Sequence, residues 1–96
     1  MEPQIRGSIE KLLDDYLTTD QLTAFLLVLK EIQPSVNSIE DAIFGYIIGA
    51  TQGAFVAMYH QKHNRTPDES ERAVFLTILG RRAAEIKSKT REIDNQ

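Results

Sequence analysis

Residues Ser38–Asn64, SIEDAIFGYIIGATQGAFVAMYHQKHN, decide the fold. From Ala42 to Gln61 no side chain carries a formal charge, and glycine recurs every fourth residue at Gly45, Gly49 and Gly53, with Ala57 continuing the row. Ser38 followed by Glu40 and Asp41 supplies an N-cap oxygen and acids at the positive end of a helix dipole. Asn64 supplies the stop, and Lys62, His63 and Arg65 place positive charge at the negative end. The spacing therefore predicts one helix running to about His63. Bulky side chains stand away from the glycines, with Phe44, Ile48 and Phe55 on one row and Ile43, Ile47 and Met58 on another. A helix that is apolar on nearly every side is a central helix.

The uncharged run is close to the roughly 20 residues that cross a bilayer. Thr51 and Gln52 at its centre, the Gly and Tyr positions around them, and Glu40 and Asp41 in its first turn weigh against a membrane span. The glycines need a different explanation. Each glycine inside a helix costs about 1 kcal/mol relative to alanine, so three cost on the order of 3 kcal/mol. The i, i+4 spacing lines the missing side chains into one strip, where another helix backbone can approach closely and cross at roughly −40° to −50°. Two occupants are consistent with the strip. Within the chain, a fourth helix through Ala83 and Ala84, or the first helix through Gly7, packs there. Between chains, the helix meets its own copy across a two-fold axis, with Gly45, Gly49, Gly53 and Ala57 at the contact and Phe44, Ile48 and Phe55 as apolar rims.

The segments on either side are also helical. Ile5, Ile9, Leu12, Leu13, Tyr16 and Leu17 follow an amphipathic template with acids and bases between them. Thr18 to Gln21 reads as a capping box. Behind it Leu22, Phe25, Leu26, Leu29 and Ile32 repeat the helical period, Leu27 and Val28 widen the apolar face, and Pro34 ends the helix at about Ile32 or Gln33. Ser35 to Asn37 is a short link. Thr66-Pro67-Asp68-Glu69 is the strongest local signal in the chain, an N-cap followed by proline at the first helical position and a glutamate completing the box. A fourth helix is predicted from Pro67, with a seam of Leu76, Leu79, Ala83, Ile86, Thr90 and Ile93. The expected architecture is all-α, a four-helix bundle-like domain over residues 1–96 with two short N-terminal helices packed on two long antiparallel helices. At 1.5 Å per residue the short helices reach roughly 20 Å and the long ones nearly 40 Å. The short pair either lies end to end along the long pair or leaves part of it for a partner.

A 96-residue chain closes one modest core, which excludes a multidomain enzyme. With no cysteine there is no disulfide framework, thiolate nucleophile or iron–sulfur ligand. The start, Met1 to Gly7, has one arginine and no apolar run behind it, which points to a cytoplasmic protein. His60 and His63 stand at i, i+3, but further metal ligands are missing except for Asp68, Glu69 and Glu71 across the turn. The pairs Asp14-Asp15 and Glu40-Asp41 point about 100° apart on a helix and cannot converge for acid–base catalysis. Arg6 with Glu10 and Lys11 with Asp15 read as i, i+4 pairs on a wet face. No nucleophile elbow or phosphate-binding loop is present. No catalytic residue, metal site or cofactor is expected, and the chain reads as non-enzymatic.

Eleven basic and 14 acidic residues give a net charge of −3, which disfavours nucleic acid overall. The charge is uneven. Residues 1–61 hold three basic and eight acidic groups, whereas 62–96 hold eight basic and six acidic. Arg81, Arg82, Lys87, Lys89 and Arg91 form a basic cluster interrupted only by Glu85, the basis of an alternative reading as a nucleic-acid accessory protein. The cluster surrounds much of the helix and has few aromatics beside it, so solvated flanks of a seam are the plainer reading. The expected function is a protein–protein interaction module that first binds itself as a homodimer; another protein is a further candidate partner.

Overall fold

The computed structural model describes residues 1–32 and 37–95, which form four helices: α1 (Pro3–Tyr16), α2 (Thr19–Glu31), α3 (Ile39–His63) and α4 (Glu69–Asp94). The expected all-α architecture forms, with the two short helices on the long antiparallel pair. Three contacts show how α3 and α4 align. The Phe55 and Phe75 rings stack at 4.4 Å, Lys87 lies 3.5 Å from Asp41, and Arg91 lies 2.8 Å from Glu40.

The short helices lie end to end along this pair. At the start of α1, Gln4 accepts a 2.7 Å hydrogen bond from Lys62 near the end of α3. Farther on, Phe25 of α2 sits 4.5 Å from the Tyr46 ring in the N-terminal half of α3, and Lys30 pairs with Asp94 at 3.7 Å. Every level of the molecule is thus a section through three helices. Its 41 × 22 × 20 Å extents match that arrangement, since a helix with side chains is about 10 Å wide. With three helices in section, each helix buries one side and leaves the other to solvent.

Ile5, Ile9, Leu13 and Leu17 supply the α1 side of the core, and Leu22 and Leu26 the α2 side. The buried row of α3 is Ile43, Ile47, Thr51, Phe55 and Tyr59, a strict i, i+4 series. Thr51 donates to the Ile47 carbonyl at 2.7 Å and Thr90 to the Ile86 carbonyl at 2.8 Å, so both buried hydroxyls are satisfied within their own helices.

Local signals place most helix ends, with instructive departures. Ser38 accepts from the Asp41 amide at 3.2 Å, and Asn64 closes α3 in the left-handed conformation at φ 54°, a shape asparagine tolerates. Thr18 accepts from the Gln21 amide at 3.3 Å. The reciprocal arm of that box does not form, because the Thr18 amide bonds the Asp15 carbonyl at 3.4 Å. The start of α4 differs from the expected Thr66 cap and Pro67 first turn. Asp68 is the N-cap, accepting from the Glu71 amide while Glu71 accepts from the Asp68 amide, both at 2.8 Å. Arg65 grips the same Glu71 through two nitrogens, at 2.7 and 3.0 Å, and Pro67 is buried ahead of the helix. The α4 seam also begins one residue earlier than expected. Phe75, Ile78, Leu79, Ile86 and Thr90 are buried, Ala83 and Ile93 are half-buried, and Leu76 is 65% exposed. The Phe55–Phe75 stack sets this rotation. On α2, Leu27 and Val28 face solvent rather than widening the core. Pro34 and the Ser35 end of the predicted link lie outside the described residues.

Candidate functional site

Gly45, Gly49 and Gly53 each follow a buried residue of α3 by two positions, which turns them roughly 200° around the helix. They therefore face directly away from the core. All three and Ala57 are exposed, and a Cβ built on any of the glycines meets nothing within 4 Å. Neither Ala83 and Ala84 of α4 nor Gly7 of α1 fills the strip. Apolar depressions flank it on both sides. Between α3 and α4 a groove of about 440 Å³ is lined by Ile48, Gln52, Val56, Pro67, Leu76 and Leu79. Toward α2 a shallower one of about 330 Å³ is lined by Phe25, Val28, Leu29 and Tyr46, the last 54% exposed. The result is a smooth, largely apolar face centred on the glycine row, with Arg72 at the edge of the α3–α4 groove.

The expected rims divide. Ile48 is half-buried at the edge of the α3–α4 groove. Phe44 is half-buried with the Lys87 ammonium 5.0 Å above its ring, so α4 covers it. Phe55 is corrected outright, being 1% exposed in the chain's own core. Their place on the rim falls to Tyr46 and Leu76, which lie beside the strip and are more than half exposed. The signal for Tyr46 was present in its position next to Gly45. Leu76 could be placed only once the rotation of α4 was known.

The basic cluster on α4 meets acids of the same chain. Arg82, with its side chain 14% exposed, holds Asp14 at 2.6 Å and Glu85 at 3.1 Å and donates to the Glu10 carbonyl at 3.1 Å. Arg81 reaches Glu10 at 4.0 Å, while Lys87 and Arg91 pair with Asp41 and Glu40. Lys89 has no ion pair among the described residues. Glu10, expected to pair with Arg6, turns instead to Arg81 and Arg82. The acidic front and basic back of the sequence thus neutralise each other across helices.

The histidines do not converge. His60 is exposed on the outer side of α3, whereas His63 meets Glu2 at 2.5 Å. No group of three or more candidate metal ligands occurs among the described residues. Lys62 lies 2.7 Å from Glu2 and, with His63, holds that carboxyl below its usual range. Tyr59, fully buried beneath Arg65, is pushed up to about 12 by burial first and by the Glu71 carboxylate next. Glu71 is held down to about 2, chiefly by the Arg65 guanidinium, and also by the Asp68 amide. A depressed carboxyl stabilises the fold above its ordinary value of 4.5 and loses that contribution as pH falls through about 2. The difference in Tm between wild type and Glu71→Gln is therefore expected to be full above pH 4.5 and to close as the pH approaches 2. Thermal unfolding across that range checks it; a difference independent of pH would show that the ionised carboxylate contributes nothing.

Comparison with family models, with curated proteins and with solved structures finds no match to this chain. By length and composition α3 also passes as a membrane span, with mean hydropathy 1.4 over its best window. Its inner row is packed on the core side of α1, α2 and α4, helices whose outer surfaces carry the charged residues.

Proposed function

We propose that this is a non-enzymatic, cytoplasmic interaction module that forms a homodimer through the outer face of α3. One observation carries the reading: three helix-interior glycines share one exposed strip where the chain's own packing has no use for the missing side chains. The strip costs the isolated fold on the order of 3 kcal/mol relative to alanine, against a total stability of about 5–15 kcal/mol for a domain. Close approach of a second helix returns that cost through backbone contacts that any larger side chain would prevent. The largely apolar flanks, with Tyr46, Ile48, Val56 and Leu76 on their surfaces, supply apolar area of the kind enriched at the centre of an interface.

Sedimentation equilibrium tests the reading. Wild type at high micromolar concentration is expected to sediment as a dimer, and Gly49→Leu, which places a bulky side chain on the open strip, as a monomer with unchanged helicity. A monomeric wild type would overturn the proposal. So would a Gly49→Leu variant that remains fully dimeric.

A further inference from the structure

The groove between α3 and α4 joins an apolar wall to polar groups that the fold leaves unused. Ile48, Val56, Phe75, Leu76 and Leu79 line its length, and Gln52, Thr66 and Arg72 supply its polar side chains. Neither the Gln52 amide nor the Thr66 hydroxyl makes a side-chain hydrogen bond among the described residues. Arg72 donates from Nη1 to the Pro67 carbonyl at 3.0 Å, which fixes its guanidinium beside the groove. Arg65, Arg82 and Arg91 each hold a carboxylate of their own chain. Arg72 forms no ion pair among the described residues; Asp68, one turn before it, caps the Glu71 amide at 2.8 Å instead. We propose that this groove binds an aliphatic monocarboxylate, its carboxylate on Arg72 and Thr66 and its alkyl chain laid along Val56, Leu76 and Leu79 toward Ile48. The site is built within one chain and goes beyond the dimer reading without resting on it.

Volume, shape and charge select that ligand class. The groove holds about 440 Å³, inside the roughly 300–1,000 Å³ of small-molecule sites, which are mostly apolar with a few convergent polar groups. The Phe55–Phe75 stack aligns the antiparallel pair, so Arg72 stands level with Met58 and Leu79 level with Thr51. From the Arg72 level to Ile48 the track is then roughly 15 Å long at 1.5 Å per residue. One turn beyond Ile48, α4 covers Phe44, with the Lys87 ammonium 5.0 Å above its ring, and the apolar run ends. A narrow track with one charged end fits an unbranched chain of limited length. The planar guanidinium fork matches a single carboxylate. A phosphate dianion would call for a second cation, and the nearby Arg65 is already committed to Glu71 at 2.7 and 3.0 Å.

Decanoate, titrated below its micelle concentration into isotope-labelled wild type, tests the site. Saturable methyl shifts are expected at Val56, Leu76 and Leu79, with helicity unchanged. Two further probes on the same unaltered protein separate the ends of the ligand. Decanol carries the tail without the charge and acetate the charge without the tail, and each is expected to bind about tenfold more weakly or worse. Arg72→Gln, at an exposed position, is expected to lose about tenfold in decanoate affinity and to bind decanol as wild type does. Equal affinity for decanoate and decanol, or undiminished decanoate binding by Arg72→Gln, would overturn the carboxylate assignment. No saturable shift at millimolar decanoate, or shifts confined to Phe25, Val28 and Leu29 beside α2, would overturn the site itself.

Discussion

Alanine at Gly45, Gly49 and Gly53 together is expected to stabilise the monomeric chain by about 2–3 kcal/mol, roughly 10–20 °C in Tm for a domain of this size. Two terms act in the same direction. Alanine restricts the unfolded chain more than glycine does, and it exposes less helix backbone to water. Neither gain is offset in the folded state, because none of the three glycines has a positive φ and the added Cβ atoms meet open space. Most core-facing helix glycines behave oppositely, since the added methyl then displaces a neighbour. In the proposed homodimer the same triple variant is expected to associate more weakly than wild type, because three methyl groups would hold the facing backbones apart. Thermal unfolding at low micromolar concentration and sedimentation at high concentration separate the two effects. A fall in monomer stability would show that something within the chain lies against the strip. A rise in stability with undiminished dimerisation would show that association uses another face.

The glycine spacing, the caps of α2 and α3, and the contrast between short and long helices are all local features, and all could be read from residue order. Faces were harder to rank. On α3 the moment that should separate inside from outside is nearly absent, because isoleucine, phenylalanine and alanine surround the helix. Phe55 and Ile48 look equivalent on that pattern, and only the stack with Phe75 places one in the core and the other at its edge. At the start of α4, Thr66 with Glu69 and Asp68 with Glu71 both satisfy the capping-box spacing. Arg65 and the buried Pro67 ring decide between them, through contacts that spacing does not encode. The basic cluster shows the same limit for charge. Lys11–Asp15 was legible as an i, i+4 pair and forms at 3.4 Å with both side chains mostly exposed, so it contributes little. The consequential pairs of Arg82 with Asp14 and Arg91 with Glu40 join residues 68 and 51 positions apart, and only the fold brings them together.

Phe55→Ala is expected to cost about 3–5 kcal/mol, enough to remove much of the stability of a domain this small. Its ring is 1% exposed, stacks on Phe75 at 4.4 Å and meets the edge of Tyr59 at 5.3 Å. Truncation leaves a cavity where the long helices touch and also removes an aromatic pair worth about 0.5–1.5 kcal/mol beyond its area. Urea unfolding measures the loss as a lower midpoint with little change in slope. The variant also checks the rotation of α3, on which the proposed docking face depends. Phe55 and the glycine strip lie on different sides of one rigid helix, so turning one inward turns the other outward. A loss under about 1 kcal/mol, the range of ordinary surface substitutions, would place Phe55 outside the core. It would thereby move Gly45, Gly49 and Gly53 toward the neighbouring helices, where a partner could not reach them. A large loss for Phe55→Ala beside a gain for the glycine-to-alanine variant is the pair of results that the described rotation requires.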